Sequence, residues 1–304
     1  MNDATPIGKT GSLVERAAAM WDLAPGPFGP LVEPQSPRIR PQADAVPPIE
    51  TPRVAAAPRV RRPVVEIDRA RLKASGMIVP GAPVTALAEE FRQIKRNLLL
   101  TAREVAADKG RTILVCSARP DDGKTFCAIN LALSLAAEKD VEILLVDADF
   151  AKPDVLGALD LEACGPGLLD AIADARVDVE SCIVDTDIPH LSILAAGTKS
   201  HSDTELLGSD AAASVLRRLV DADPRRIVVF DSPPALAASP AAVLAGHVGQ
   251  VMLVVRADTT SEGDLREAVS TLDGCEHVQL VLNAVAFQPG GRRYDGYYGQ
   301  EAAA

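Results

Sequence analysis

Five short runs along this chain are almost wholly apolar and rich in β-branched residues: RTILVCS (111–117), VEILLVDA (141–148), RIVVFDS (226–232), GQVMLVVRA (249–257) and VQLVLNAV (278–285). A strand with one wet face alternates apolar and polar residues. Runs without that alternation are strands buried on both faces, as in a parallel sheet. The stretches 124–138, 204–221, 239–247 and 262–273 lie between them and carry helical spacing. Ahead of the first run, TALAEEFRQIKRNLLLTAREVA sets Leu87, Phe91, Ile94 and Leu98 on one stripe, with charges opposite and Thr85 placed as N-cap. The pattern predicts an α/β fold: a mostly parallel sheet with helices on both faces.

The first strand runs straight into ARPDDGKT, Ala118 to Thr125. This is the phosphate-loop spacing GxxxxGK[ST] with Ala118 in place of the first glycine, and it predicts a P-loop NTPase fold. Gly123 lets the backbone approach a phosphate closely. Successive N–H groups of Arg119, Asp121, Asp122, Gly123, Lys124, Thr125 and Phe126, around Pro120, face the anion at a helix start. Lys124 is set to neutralise phosphate charge and the Thr125 hydroxyl to hold Mg²⁺. Asp121 and Asp122 would repel phosphate unless they point away or orient the metal or Lys124. Two further acidic stretches follow strands. ILLVDADF places Asp147 and Asp149 on one strand face by alternation, and IVVFDSPP ends in Asp231. Together with the loop they describe a metal-assisted phosphoryl-transfer site for a nucleotide. The four histidines are scattered, and no Ser/His/Asp set competes.

Composition narrows the picture. Hydrophobic residues make up 47% of the chain and aromatics only 3%, so aliphatic side chains must fill the core. The net charge of −11 argues against nonspecific nucleic-acid binding. The five cysteines stand singly, without metal spacing, and read as buried free thiols. No basic-then-apolar signal pattern and no membrane-length apolar run appears, so the expected place is the cytoplasm, with any membrane contact made through a partner. Residues 1–75 hold most of the 14 prolines that precede residue 84, and many arginines, so they read as a disordered tether. Near its start, SLVERAAAMWDL has the spacing of a short amphipathic docking helix. The globular domain is expected over 76–288 and a flexible tail over 289–304. All three tyrosines, Tyr294, Tyr297 and Tyr298, fall in the final eleven residues, a placement with a random chance of roughly 1 in 20,000.

SARPDDGKT, LLVDADFAKPDV and VVFDSPP resemble the Walker A, Walker A′ and Walker B motifs of bacterial tyrosine kinases of exopolysaccharide and capsule production. RLKASGMIVP, LAEEFRQIKRNLL and SLVERA are similar to the exosortase-associated tyrosine autokinase subgroup. The likeness covers roughly residues 66–300 and the N-terminal patch. It implies that Tyr294, Tyr297 and Tyr298 are phosphoacceptors for a neighbouring subunit in a homo-oligomer. It implies that Asp147 activates the tyrosine hydroxyl, that Asp149 and Asp231 hold Mg²⁺, and that Asn283 contacts adenine. A separate membrane-spanning chain-length regulator would act as activator at the inner face of the membrane. The helix motif EEFRQIK keeps Glu89 and Arg92 of the association signature, but Lys95 stands where arginine is usual. Ala151 and Lys152 also stand at common arginine positions.

Two other readings share the fold. A partition or septum-positioning ATPase normally carries a signature lysine at the place of Arg119 and gives the tyrosine tail no role. A nucleotide-binding scaffold with weak catalysis would fit the unusual Asp121 and the missing arginines.

Overall fold

Each of the five apolar runs is a strand in the computed structural model, which describes residues 62–105, 109–162, 165–199 and 203–285. The chain divides into two units, Met1–Ala57 and Pro58–Ala304, and every described residue belongs to the second. The strands are β1 (Val64–Val65), β2 (Thr112–Ser117), β3 (Glu142–Asp147), β4 (Val184–Thr186), β5 (Leu191–Leu194), β6 (Arg226–Asp231), β7 (Gln250–Arg256) and β8 (Val278–Asn283). The helices are α1 (Arg69–Ala74), α2 (Ala86–Glu104), α3 (Lys124–Ala136), α4 (Val155–Ala158), α5 (Leu168–Ala173), α6 (Asp203–Leu207), α7 (Asp210–Asp221), α8 (Pro240–Ala245) and α9 (Glu262–Thr271). The sheet order is β1-β4-β5-β3-β6-β2-β7-β8, parallel throughout except for the β4–β5 pair.

Side chains of the central strands alternate between two cores. Ile113, Val115, Ile143, Leu145, Val229 and Met252 pack with α2 and α3 on one face. Leu114, Leu144, Val146, Phe230 and Leu253 pack with α5, α7, α8 and α9 on the other. α3 is a middle layer, buried from Cys127 to Ala136, because α2 covers it with Phe91 and Leu98. Thr85 caps α2 as expected, its hydroxyl accepting from the Ala88 N–H at 3.2 Å. Cys116, Cys127, Cys182 and Cys275 are buried free thiols, and burial pushes the Cys116 thiol up to about 11. Cys164 lies outside the described residues. Among the described residues no helix is long and apolar enough to cross a membrane.

Three features differ from the sequence pattern. The stretch 204–221 is two helices, α6 and α7, broken at Gly208, with the Ser209 hydroxyl capping α7 through the Ala212 N–H. The antiparallel hairpin β4–β5 was hidden because its strands are short and β4 carries polar residues. Described structure also reaches into the stretch read as tether. β1 pairs with β4, and Ile67 and Leu72 are fully buried behind it. The docking-helix segment near the N-terminus lies outside the described residues.

A buried charge group fastens this early strand. Glu180 accepts from Arg226 at 2.6 and 2.9 Å and from Arg62 at 2.6 Å. Arg226 is only 6% exposed, so it depends on that carboxylate. Glu180→Ala is expected to cost about 3 kcal/mol, because it leaves a buried guanidinium unpaired. A urea midpoint unchanged from wild type would contradict this.

Candidate active site

β2 ends at Ser117 and α3 starts at Lys124, so residues 118–123 form a loop at the C-terminal edge of the sheet. In open α/β sheets that edge is where ligands bind. Gly123 takes φ +94°, in the left-handed region, and a Cβ there would run into Asn283 Nδ2. Asp121 is also left-handed, at φ +64°, and its side chain is exposed. Asp122 turns away from the anion site into the loop's own scaffold. One carboxylate oxygen accepts from the Arg119 N–H at 3.0 Å and the other from the Thr260 hydroxyl at 3.0 Å. The Arg119 side chain leaves the loop for Asp264 on α9, 3.0 Å away. Pro120 is exposed, and Phe126 packs beside the α2–α3 core.

Two acids meet the end of this loop, and a third stands beside them. Lys124 Nζ lies 2.8 Å from Asp149 Oδ2, and the Thr125 hydroxyl donates to Asp231 Oδ2 at 2.7 Å. Asp147 and Asp231 are register partners on adjacent strands. β3 stops at Asp147, so Asp149 reaches the loop through the turn that follows rather than by strand alternation. Asp149 Oδ1 accepts from the Lys152 N–H at 3.1 Å, which closes that turn. Asp147 is 1% exposed, and its oxygens accept from the N–H groups of Asp149, Asp154 and Val155 at 3.2, 3.1 and 3.0 Å. Its carboxylate therefore shapes the 149–155 turn, and this arrangement shields it from a substrate hydroxyl.

The electrostatics follow from burial. Burial lifts Asp231 to about 7, against the opposing pull of Lys124 and Thr125. Burial likewise lifts Asp147 to about 6. Burial works against the Lys124 charge, but Asp231, Asp149 and Asp147 outweigh it and hold the lysine above its usual value. The site is thus one cation among three crowded carboxylates, able to receive a highly charged anion only together with further positive charge.

Among the described residues, buried Asp231 Oδ1 has no hydrogen-bond partner. Such an oxygen next to a hydroxyl suits a small divalent cation. Among the described residues no three His, Cys, Asp or Glu side chains are placed to hold one metal ion between them. Mg²⁺ does not need such a cage, since it takes one or two carboxylates and fills its shell with phosphate oxygens and water. Thr125 and Asp231 fit it. Asp149 can join them once Lys124 lets go.

Of the remaining expected residues, Asn283 lies beside the loop, its amide donating to the Asp122 carbonyl at 2.9 Å. Ala151 and Lys152 are exposed at the site mouth, and Lys199 Nζ donates to the Ala151 carbonyl at 3.1 Å. In the association motif Arg92 pairs with Glu89 at 2.8 Å, whereas Lys95 is turned inward to Glu138 at 2.7 Å and the Ser134 carbonyl at 2.8 Å. Tyr294, Tyr297 and Tyr298 lie outside the described residues. The sequence reading passed over Arg256, Thr260 and Asp264, which hold the loop from outside. The one available signal was an arginine ending an apolar strand at the same edge as Asp231 and Asn283.

Comparison with known proteins shows what the chain is similar to. The EpsB protein of Ralstonia nicotianae is 30% identical over 196 residues, covering 63% of this chain and 25% of EpsB. The tyrosine-protein kinase YwqD of Bacillus subtilis is 27% identical over 219 residues, covering 71% of this chain and 88% of YwqD. The solved tyrosine kinase domain of BceF is 25% identical with a TM-score of 0.57, covering 72% of this chain and 91% of that one. The chain spans about a quarter of the length of EpsB. Residues 110–274 match the AAA domain model, and the chain belongs to that family.

Proposed function

We propose that this chain is an ATP-dependent protein-tyrosine kinase of the bacterial type, which phosphorylates Tyr294, Tyr297 and Tyr298 on the tail of a neighbouring copy. The observation that best supports this is the second acidic pair. Asp147 ends β3 and braces the turn after it, and Asp149 in that turn touches Lys124 of the phosphate loop. Lys124 and the N–H groups of the loop receive the phosphates. Mg²⁺, held by Thr125 and Asp231 with Asp149, would screen phosphate charge and orient the γ-phosphoryl group. The tyrosine oxygen attacks the γ-phosphorus, the bond from phosphorus to the ADP oxygen breaks, and the tyrosine proton passes to Asp147. That transfer requires the 149–155 turn to open, since the Asp147 oxygens are engaged by backbone. Each phosphate adds about −1.5 to −2 charge to the tail, so repulsion from the acidic body favours its release. Within a polysaccharide-export system a separate membrane-spanning regulator would supply the activating segment.

The test is peptide mapping by mass spectrometry after incubation with ATP and Mg²⁺. Wild type is compared with Lys124→Met and with a variant carrying Phe at all three tyrosines. Phosphate on the tail peptide of wild type alone supports the reading. ATP turnover without tail phosphate, repeated with the regulator's cytoplasmic segment present, overturns it.

A further inference from the structure

The shape of a phosphate loop depends on which way its peptide planes face. A trans peptide points its N–H opposite to the C=O it shares a plane with. A loop that binds an anion must therefore keep its carbonyls turned outward, because a single inverted plane presents an oxygen to the phosphate instead of a donor. In this chain two consecutive planes are held from outside by side chains. Arg256 Nη1 donates to the Asp121 carbonyl at 2.7 Å, and Asn283 Nδ2 donates to the Asp122 carbonyl at 2.9 Å. The N–H groups that follow, those of Asp122 and Gly123, are thereby turned to the opposite side. Arg256 and Asn283 are register partners at the ends of β7 and β8. One rung of the sheet edge thus carries both donors. The rung is itself tied down. The Thr260 hydroxyl accepts from the Arg256 N–H at 3.1 Å and donates to the Asp122 carboxylate at 3.0 Å, while the Asn283 carbonyl accepts from the Ala257 N–H at 2.9 Å.

We propose that Arg256 and Asn283 are positioning residues that together fix the peptide planes of Asp121 and Asp122 and so preset the anion-binding face of the loop. This rests on the reading of the loop as a nucleotide-phosphate site. It also changes what Asn283 is for. An amide spent on the Asp122 carbonyl acts on the phosphates through the loop rather than by reading the base. Recognition through the loop is indifferent to the base, whereas a base contact is not, and that difference can be measured.

The experiment uses the full chain. Affinities for MgATP and MgGTP are determined by competition for wild type, Arg256→Ala, Arg256→Lys and Asn283→Ala, with tail phosphorylation kinetics in parallel. Each alanine variant is expected to weaken both nucleotides by the same factor, about tenfold, the scale of one lost hydrogen bond. The KM for ATP should rise while kcat at saturating ATP holds, because uniform binding is what is lost. Arg256→Lys, which keeps a donor, should recover part of the affinity. Loss confined to ATP in Asn283→Ala, with Arg256→Ala unchanged, would make Asn283 a base contact and overturn the proposal. Unchanged affinities in both alanine variants overturn it alone. Absence of nucleotide binding by wild type overturns it together with the kinase reading.

Discussion

Asp231→Asn is expected to lower the rate of tail phosphorylation by about a thousandfold, the scale of losing one preorganised charge at a transition state, and at the same time to stabilise the nucleotide-free protein at alkaline pH. The carboxylate is fully buried, with one oxygen unpartnered. Its pKa is raised from 3.8 to about 7, chiefly by burial. The folded state therefore holds a proton that the unfolded chain has released, and stability falls as pH rises from about 4 to about 7, then levels. Asp147, lifted to about 6, slopes the same way. Each pKa unit is worth about 1.4 kcal/mol, so ionised Asp231 costs the folded state on the order of 4 kcal/mol. Asparagine removes that cost, and its amide oxygen still accepts from Thr125. Melting curves at pH 8 should shift up by about 10 °C, with little shift at pH 4. A lower Tm at pH 8 would show that the Asp231 charge supports the fold rather than opposing it.

Gly123→Ala is expected to weaken MgATP binding about a hundredfold, through strain and collision acting together. At φ +94° an L-residue is strained by its own Cβ. That Cβ would also meet the Asn283 amide, so either Asn283 leaves the Asp122 carbonyl or the Gly123 peptide turns over. Both outcomes remove donors from the anion face. Calorimetric titration checks the affinity, and near-wild-type binding would mean that residues 118–125 are not where phosphate sits.

Much of this site could be read from sequence because its chemistry is local. Gly123, Lys124 and Thr125 are adjacent, and each acid closes an apolar run, so spacing and strand ends were enough to find them. The central strands were equally plain, since β2, β3, β6 and β7 are unbroken apolar stretches. What spacing could not reveal was pairing across distance. The Arg256 contact to Asp121 joins residues 135 apart in the chain, and that of Asn283 to Asp122 joins residues 161 apart. A two-residue strand such as β1 has no periodicity, and its proline-rich neighbourhood argued against it. The burial of Asp147 was hidden for a related reason: its partners are backbone N–H groups, which have no residue type.

Lys124 is engaged by the chain's own Asp149, 2.8 Å away. The carboxylate is thus a competitor tethered inside the site, present at fixed local concentration. Only molecules in which the lysine has swung free are ready to capture an anion. Their fraction scales the apparent affinity, and the wait for them slows association more than it shortens the life of the finished complex.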